Sequence, residues 1–204
     1  MLLDLVKINK KYDLNIKGVL HIGAHYGQEN KVYDELDLKE RIFFEPLSRN
    51  FKKLCENVDP RFTLINKALG NFNGTVEMHV ESANSGQSSS ILKPSLHLVQ
   101  YPHITFTEKE TVEIARLDNI EFERAKFNFI NIDVQGYELE VFKGASETLE
   151  SIDYIMTELN IEELYEDCAR VDVIRNFLGE YGFKLVETDW AGFTWGDGFF
   201  IKEK

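Results

Sequence analysis

The sequence predicts an α/β fold built on a mostly parallel sheet with helices on both faces. Three observations predict it. Short apolar runs of strand character alternate with amphipathic helical patterns along most of the chain, as βαβ units require. Residues 127–145 (FNFINIDVQGYELEVFKGA) hold a nearly continuous apolar run that stops on Asp133, Gln135 and Gly136, followed at once by a helical pattern; a parallel strand buried on both faces reads this way. Residues 19–27 (VLHIGAHYG) run from a strand through a glycine-bearing loop into a helix.

Residues 1–15 read as a short N-terminal amphipathic helix, because Lys residues follow and interrupt the apolar positions and no small-residue cleavage pattern appears. Residues 17–23 (KGVLHIG) form a first strand, and 28–38 its helix with Val32, Tyr33 and Leu36 inward. Residues 41–45 (RIFFE) form a second strand ended by Pro46; helix 47–58 follows, with Leu47, Phe51, Leu54, Cys55 and Val58 on one core-facing side. Residues 62–66 form a third strand. Segments 75–81 (TVEMHVE) and 111–115 alternate with period two and read as an extra antiparallel hairpin. Between the two lies an insertion, 82–110, whose polar part contains NSG and QSSS; a loop of that length in a compact domain is commonly functional, here a lid.

Alternation resumes with the strand after residue 127, whose helix presents Val141, Phe142, Ala145 and Leu149 on one side. A strand at 152–157 and a helix at 171–181 follow, the latter with Val173, Ile174, Phe177, Leu178 and Tyr181 inward. Strands 183–188 and 199–202 close the sheet around the turn AGFTWGDG. No repeat or linker interrupts the pattern, so residues 1–204 form a single domain.

A chain of 204 residues suffices for one well-buried α/β domain. Its net charge of -12 and scattered Lys and Arg residues lack the basic stripe that phosphate binding demands, which argues against nucleic acid as a partner. No segment is apolar over the length of a bilayer span, so no membrane partner is expected. Cys55 and Cys168 imply no disulfide framework, and a cytoplasmic location follows as the default.

Gly23 and Gly27 permit close approach of the backbone to a ligand. Glu45 ends the second strand 22 residues beyond Gly23, the place from which a carboxylate meets ribose hydroxyls in doubly wound folds. The pair predicts an adenosine-containing ligand; a tight β–α turn beside a surface Glu is the purely structural alternative. His25 and Tyr26 intrude where a dinucleotide site needs its middle glycine. No Tyr has a Lys four positions on, and no Gly-Lys-Ser/Thr is present. A cofactor without phosphates, S-adenosylmethionine, fits these features better than NAD.

On HIGAHYGQE (21–29), FFEP (43–46), SSSIL (88–92), RLDNI (116–120) and IDVQGYELEVFKGA (132–145), the chain resembles the FkbM family of S-adenosylmethionine-dependent methyltransferases over nearly its whole length. The resemblance implies a class I methyltransferase (Rossmann-like) sandwich: a seven-stranded, mostly parallel sheet with an antiparallel last strand and helices on both faces. It also implies O-methyl transfer to a sugar, glycan or small natural product. His21 stands where many members carry an acidic residue that supports the methionine part of the cofactor; Gln135 stands where Glu is frequent. Together with the loop reading, it makes His21, Gly23, Ala24, Gly27, Gln28, Glu45, Pro46, Ala68, Ser88, Asp133 and Gln135 the cofactor-binding candidates.

A hydroxyl acceptor needs a base close to an aligned methyl donor. Asp133 sits at a strand end suited to that role, or to orienting acceptor or cofactor, although an ordinary Asp with a pKa of about 3.9 is a weak base. Glu158 ends the next strand and His103 lies on the lid, completing the catalytic candidates. Ser89, His97, Glu138 and Trp190 are the acceptor-binding candidates, each with a packing, turn or helix-dipole role as the alternative. No third ligand joins Asp133 and Glu158 at convincing spacing, so no metal is expected. No Asn/Asp-Pro-Pro-Tyr motif points to exocyclic base amines. Two other readings stay open: a non-catalytic adenosine-cofactor-binding module, and an NAD-dependent oxidoreductase. Oligomeric state is not legible in the sequence.

Overall fold

The computed structural model describes residues 1–203. Helix α1 (Leu5–Tyr12), capped by Asp4, turns Leu5 and Ile8 inward. Strand β1 (Gly18–Ile22), helix α2 (Asn30–Glu35), strand β2 (Glu40–Phe44), helix α3 (Ser48–Asn57) and strand β3 (Thr63–Ile65) form the first half. Strands β4 (Ala68–Leu69) and β5 (Gly74–Glu81), helix α4 (Leu96–Gln100) and strand β6 (Phe106–Ala115) follow. The second half comprises β7 (Phe129–Ile132), α5 (Glu138–Lys143), α6 (Ser146–Leu149), β8 (Tyr154–Asn160), α7 (Val171–Glu180), β9 (Phe183–Ala191) and β10 (Trp195–Lys202).

The main sheet has seven strands in the order β3-β2-β1-β7-β8-β10-β9. All pairings from β3 through β8 are parallel, and β10 runs antiparallel to both its neighbours. The order reverses between β1 and β7, the switch point at which open α/β sheets leave a crevice. A separate three-stranded sheet, β4-β6-β5, carries the hairpin expected from the period-two segments.

Strand periodicity sorts the core. Leu20, Ile22, Ile130, Ile132 and Ile155 meet Val141, Phe142 and Ile174 on one face, while Val19, Phe43, Phe129 and Met156 meet Leu5, Tyr33 and Leu54 on the other. The side chains of His21 and Asn131 fall on this second face, beside Tyr33.

Several local expectations differ from the structure. Cys55 is exposed, because Leu54 next to it takes the inward position and a helix turns roughly 100° per residue. Val173 is 44% exposed, and Ile174 and Leu178 alone are fully buried in α7. The inserted segment folds into α4 and ends at Thr105, with residues from Phe106 onward paired in β6. The Trp-Gly-Asp-Gly part of the expected turn belongs to β10. Among the described residues, no helix is long and apolar enough to cross a membrane.

Candidate active site

The loop after β1 bends over the tip of β2, where Gly23 and Ala24 both donate to the Phe44 carbonyl at 3.0 and 2.9 Å. Gly23 has φ +80°, and an added Cβ would lie 1.9 Å from the Asp133 carbonyl oxygen. Side chains are therefore excluded where β1 and β7 end together. Gly27, at φ +76°, packs against Leu54 and Val58, away from the crevice. Glu45 is 4% exposed; its two oxygens accept from the His25 and Leu47 backbone N–H groups, each at 2.9 Å. Burial nevertheless raises its pKa to about 8.

Two cavities adjoin at this edge. The first is lined by apolar Phe44, Pro46, Ala68, Leu69, Met78, Ile91 and Val134, with Glu45 and Ser89 among its polar residues. The second is lined by His21, Gln28, Glu29, Ser88, His97, Tyr101, Glu158 and Trp195. Gly23, His25, Gln87, Asp133 and Gln135 line both, so the two form a continuous crevice. A flat apolar slot ending in a buried carboxylate, beside a side-chain-free backbone, suits an adenosine followed by a polar chain.

The second cavity is organised by Gln135. Its amide nitrogen donates to Asp133 Oδ1 at 2.7 Å and to Glu158 Oε2 at 2.9 Å. Its amide oxygen lies 2.8 Å from the hydroxyl of Tyr165, which also lies 2.8 Å from the Ser88 carbonyl. Ser90 Oγ donates to the Gln135 carbonyl at 2.7 Å. Burial raises the pKa of Asp133, and burial with the charge of Asp133 raises that of Glu158 further. Two carboxylates so close in a desolvated site retain a proton between them into a higher pH range than isolated ones. The weakness of an ordinary Asp as a base is thereby reduced.

Glu138 departs from its expected place on the acceptor. It is fully buried, and its Oε1 accepts from Val134 N at 3.0 Å and Gly136 N at 3.1 Å. It fastens the turn that carries Gln135 (φ 55°) and Gly136 (φ 96°). Burial raises its pKa to about 7, and its Oε2 has no partner. One ligand atom each of Asp133, Glu138 and Glu158 lies within 4.8 Å of the others, so the fold supplies the third carboxylate that sequence spacing did not reveal.

His21 is buried with Nδ1 3.2 Å from Tyr33 Oη, which accepts from Asn131 Nδ2 at 2.6 Å; burial lowers its pKa to about 4, so it is neutral. His25 accepts from Gln28 Nε2 at 2.7 Å through Nδ1, which leaves Nε2–H to donate to the Ser85 carbonyl at 2.9 Å. The inserted segment is thus tied to the β1 loop. His97, buried in α4, lines the second cavity with Nδ1 unpartnered.

His103 is not brought to the site: it is exposed, with its ring 6.4 Å from Tyr101. Trp190 also lies elsewhere, packed on the main core with its ring against Gly196. Trp195 takes the cavity position instead and donates through Nε1 to Tyr101 Oη at 3.0 Å. Ser89 Oγ accepts from Glu81 N at 3.0 Å. Tyr101 and Tyr165 are not among the sequence candidates, whereas Trp195 flanks the same turn as Trp190 and shares its capacity to stack on a sugar. Tyr165 stands in an irregular stretch after β8 with no motif around it, and Trp195, inside the expected turn AGFTWGDG, is the first residue of β10 and pairs with β8.

The family described as methyltransferase FkbM domain matches residues 21–185. A relative, the 2-O-methyltransferase NoeI of Sinorhizobium fredii, is 33% identical over 173 residues, covering 80% of this chain and 71% of that protein. Among solved structures, the N-methyltransferase NodS from Bradyrhizobium japonicum is similar at TM-score 0.56 and 10% identity, covering 98% of this chain and 93% of that one. Magnesium protoporphyrin IX methyltransferase from Synechocystis, solved with bound S-adenosylmethionine, is similar at TM-score 0.53 and 10% identity, over 98% and 77% of the two chains. At these identities the likeness to solved structures is one of fold.

Proposed function

The chain belongs to the FkbM methyltransferase family and uses S-adenosylmethionine, and from that premise we propose that it methylates a hydroxyl group of a sugar, alone or within a glycan or small natural product. The observation that carries this reading is the pair Asp133 and Glu158, bridged by Gln135 and lining the cavity that continues from the Gly23 crevice.

The chain's own residues divide the work as follows. Glu45 receives the ribose hydroxyls, and Pro46, Ala68, Leu69 and Met78 enclose the base. Gly23 admits the cofactor to the backbone, while Gln28, Ser88 and neutral His21 border its polar end. The bound cofactor supplies an electrophilic methyl group. Asp133 receives the acceptor's hydroxyl proton, and Glu158, whose pKa is raised further, holds the proton that the pair shares. Gln135 places two N–H dipoles between the carboxylates, so the reading requires no metal.

Trp195 and Tyr101 offer faces on which a sugar ring stacks. Among the described residues lining this cavity, none is Lys or Arg, whereas Glu29, Asp133 and Glu158 are acidic. Against these three carboxyl groups stands the amino group of Met1, which also lines the cavity, so the acidic side chains outnumber the cation and favour an uncharged acceptor over a carboxylated or phosphorylated one. The name of the Sinorhizobium relative as a 2-O-methyltransferase supports oxygen as the target atom.

The test is S-adenosylhomocysteine release with a panel of glycosides, each paired with the deoxy analogue lacking one hydroxyl. Turnover that disappears with one particular hydroxyl is expected. Turnover of amine acceptors only, or tight cofactor binding with no product from any acceptor, would overturn the proposal.

A further inference from the structure

We propose that Tyr165 is a positioning residue that holds the Gln135 carboxamide with both its N–H bonds on the two carboxylates, so that Asp133 and Glu158 present their remaining oxygens to the acceptor. The inference rests on the reading of Asp133 and Glu158 as the proton-handling pair.

The geometry fixes the direction of each bond. An amide has two N–H bonds and one oxygen, and here one face of it meets two carboxylate oxygens, Asp133 Oδ1 at 2.7 Å and Glu158 Oε2 at 2.9 Å. The ionised carboxylate of the pair only accepts and calls for the nitrogen, whereas its protonated partner could also donate to an amide oxygen, so a further contact decides between the two orientations. The amide oxygen is turned toward the Tyr165 hydroxyl at 2.8 Å, whose single O–H is shared between this oxygen and the Ser88 carbonyl, also at 2.8 Å. Tyr165 is fully buried and its ring is 5.4 Å from that of His97, which holds the phenolic oxygen in place beside Gln135. Ser90 Oγ meanwhile pins the Gln135 backbone carbonyl at 2.7 Å.

With this arrangement, Asp133 Oδ1 and Glu158 Oε2 are committed as acceptors from the amide. The proton retained by the pair sits on Asp133 Oδ2 or Glu158 Oε1. Without the hydroxyl, the amide oxygen loses this donor, and the flipped amide, whose oxygen accepts from the protonated carboxyl of the pair, becomes the competing arrangement. Its oxygen then faces the carboxylates, which stabilises their protonated form and withdraws the base. Other groups bear on the pair: Glu138 from α5, Glu29 before α2, Asp197 from β10, and the Met1 amino group, 4.0 Å from Glu29. All of these are unchanged by removal of one phenolic oxygen.

The experiment compares the wild type with Tyr165→Phe, which keeps the ring. Carboxyl carbon NMR titrations of Asp133 and Glu158 are recorded on the protein without acceptor, and kcat, KM and their pH profiles with the best acceptor. Expected in Tyr165→Phe are an upward shift of the pair's titration by about one unit, a fall in kcat of roughly tenfold, and an acid limb displaced to higher pH. The KM for S-adenosylmethionine should stay within about twofold. A folded Tyr165→Phe with wild-type titration and wild-type pH profile would overturn the proposal. If that variant does not fold, Gln135→Met removes both N–H donors, and an unshifted titration there overturns it equally. Because the titration needs no acceptor, a protein that shows the shift but methylates no hydroxyl would count against the O-methyl reading alone and support the positioning role.

Discussion

The α-carbon of Gly23 faces the carbonyl oxygen of Asp133 so closely that a methyl group on it would stand 1.9 Å from that oxygen. Two strand tips on either side of the sheet's switch point are thereby in backbone contact, and the crevice floor has no side chain. Gly23→Ala must both adopt φ +80° and push β7 away from β1. Strain of this kind costs about 1–3 kcal/mol. A lower melting temperature is expected together with loss of S-adenosylmethionine binding by calorimetry; an alanine variant with wild-type affinity would show that the cofactor does not lie along this loop.

Asp133→Asn keeps the size of the side chain and its contact with Gln135 while removing the charge. A general base contributes about 10²–10⁴ in rate. The expected outcome is a loss of kcat of that order with cofactor affinity nearly intact. The wild-type profile carries its own signature. Asp133 works deprotonated and its pKa is raised by burial, so activity should rise with pH above the ordinary carboxylate range. A rate independent of pH across that range, with chemistry rate-limiting, would remove Asp133 from the role.

Glu45 couples the cofactor site to pH. Its pKa is about 8 in the folded protein against an ordinary value of 4.5, so between these values the folded chain binds more protons than the unfolded one. The stability held by this group is complete below about 4.5 and declines as pH rises through about 8. Thermal melts of the ligand-free protein should fall over that window, less steeply in Glu45→Gln. Ribose hydroxyls donate to the ionised form, so cofactor binding near neutrality should release a proton. Calorimetry in buffers of different ionisation enthalpy measures that release, and a value of zero would separate Glu45 from the ribose.

Much of the fold was legible because it depends on periodicity. The apolar runs leading to Gly23, Glu45, Asp133 and Glu158 are β1, β2, β7 and β8, and these four residues line the crevice, although β8 continues past Glu158 to Asn160. Residues that act through long-range contacts were not legible. Tyr165 reaches Gln135 from 30 positions away, and no local pattern marks a hydroxyl that will meet an amide. The sequence offers Glu138 to the acceptor, with the helix dipole as its alternative, and local sequence does not show that the turn at 133–136 needs an acceptor for its own N–H groups. It places His103 on the lid with His97, but His97 is buried in α4 and His103 lies exposed beyond it.

The two tryptophans of the last hairpin give a prediction in which sequence and structure part. Trp190 and Trp195 flank the same turn, and composition alone does not rank them. Pairing does: Trp190 is opposite Gly196, over which its ring lies, and packs on the main core. Trp195 is opposite Asn160 of β8, two residues beyond Glu158, and its indole N–H is held by Tyr101 at the cavity wall. Trp190→Ala should therefore lower stability, by about 2 kcal/mol for the apolar area lost, and leave the acceptor KM unchanged in the folded fraction. Trp195→Ala should raise the acceptor KM about tenfold, equivalent to about 1.4 kcal/mol of lost contact, while the KM for S-adenosylmethionine stays constant. Steady-state kinetics and denaturant melts on the two variants give four numbers. The opposite assignment, in which Trp190 governs acceptor KM, would mean that the sugar approaches from the far side of β10 and that the second cavity is not the acceptor site.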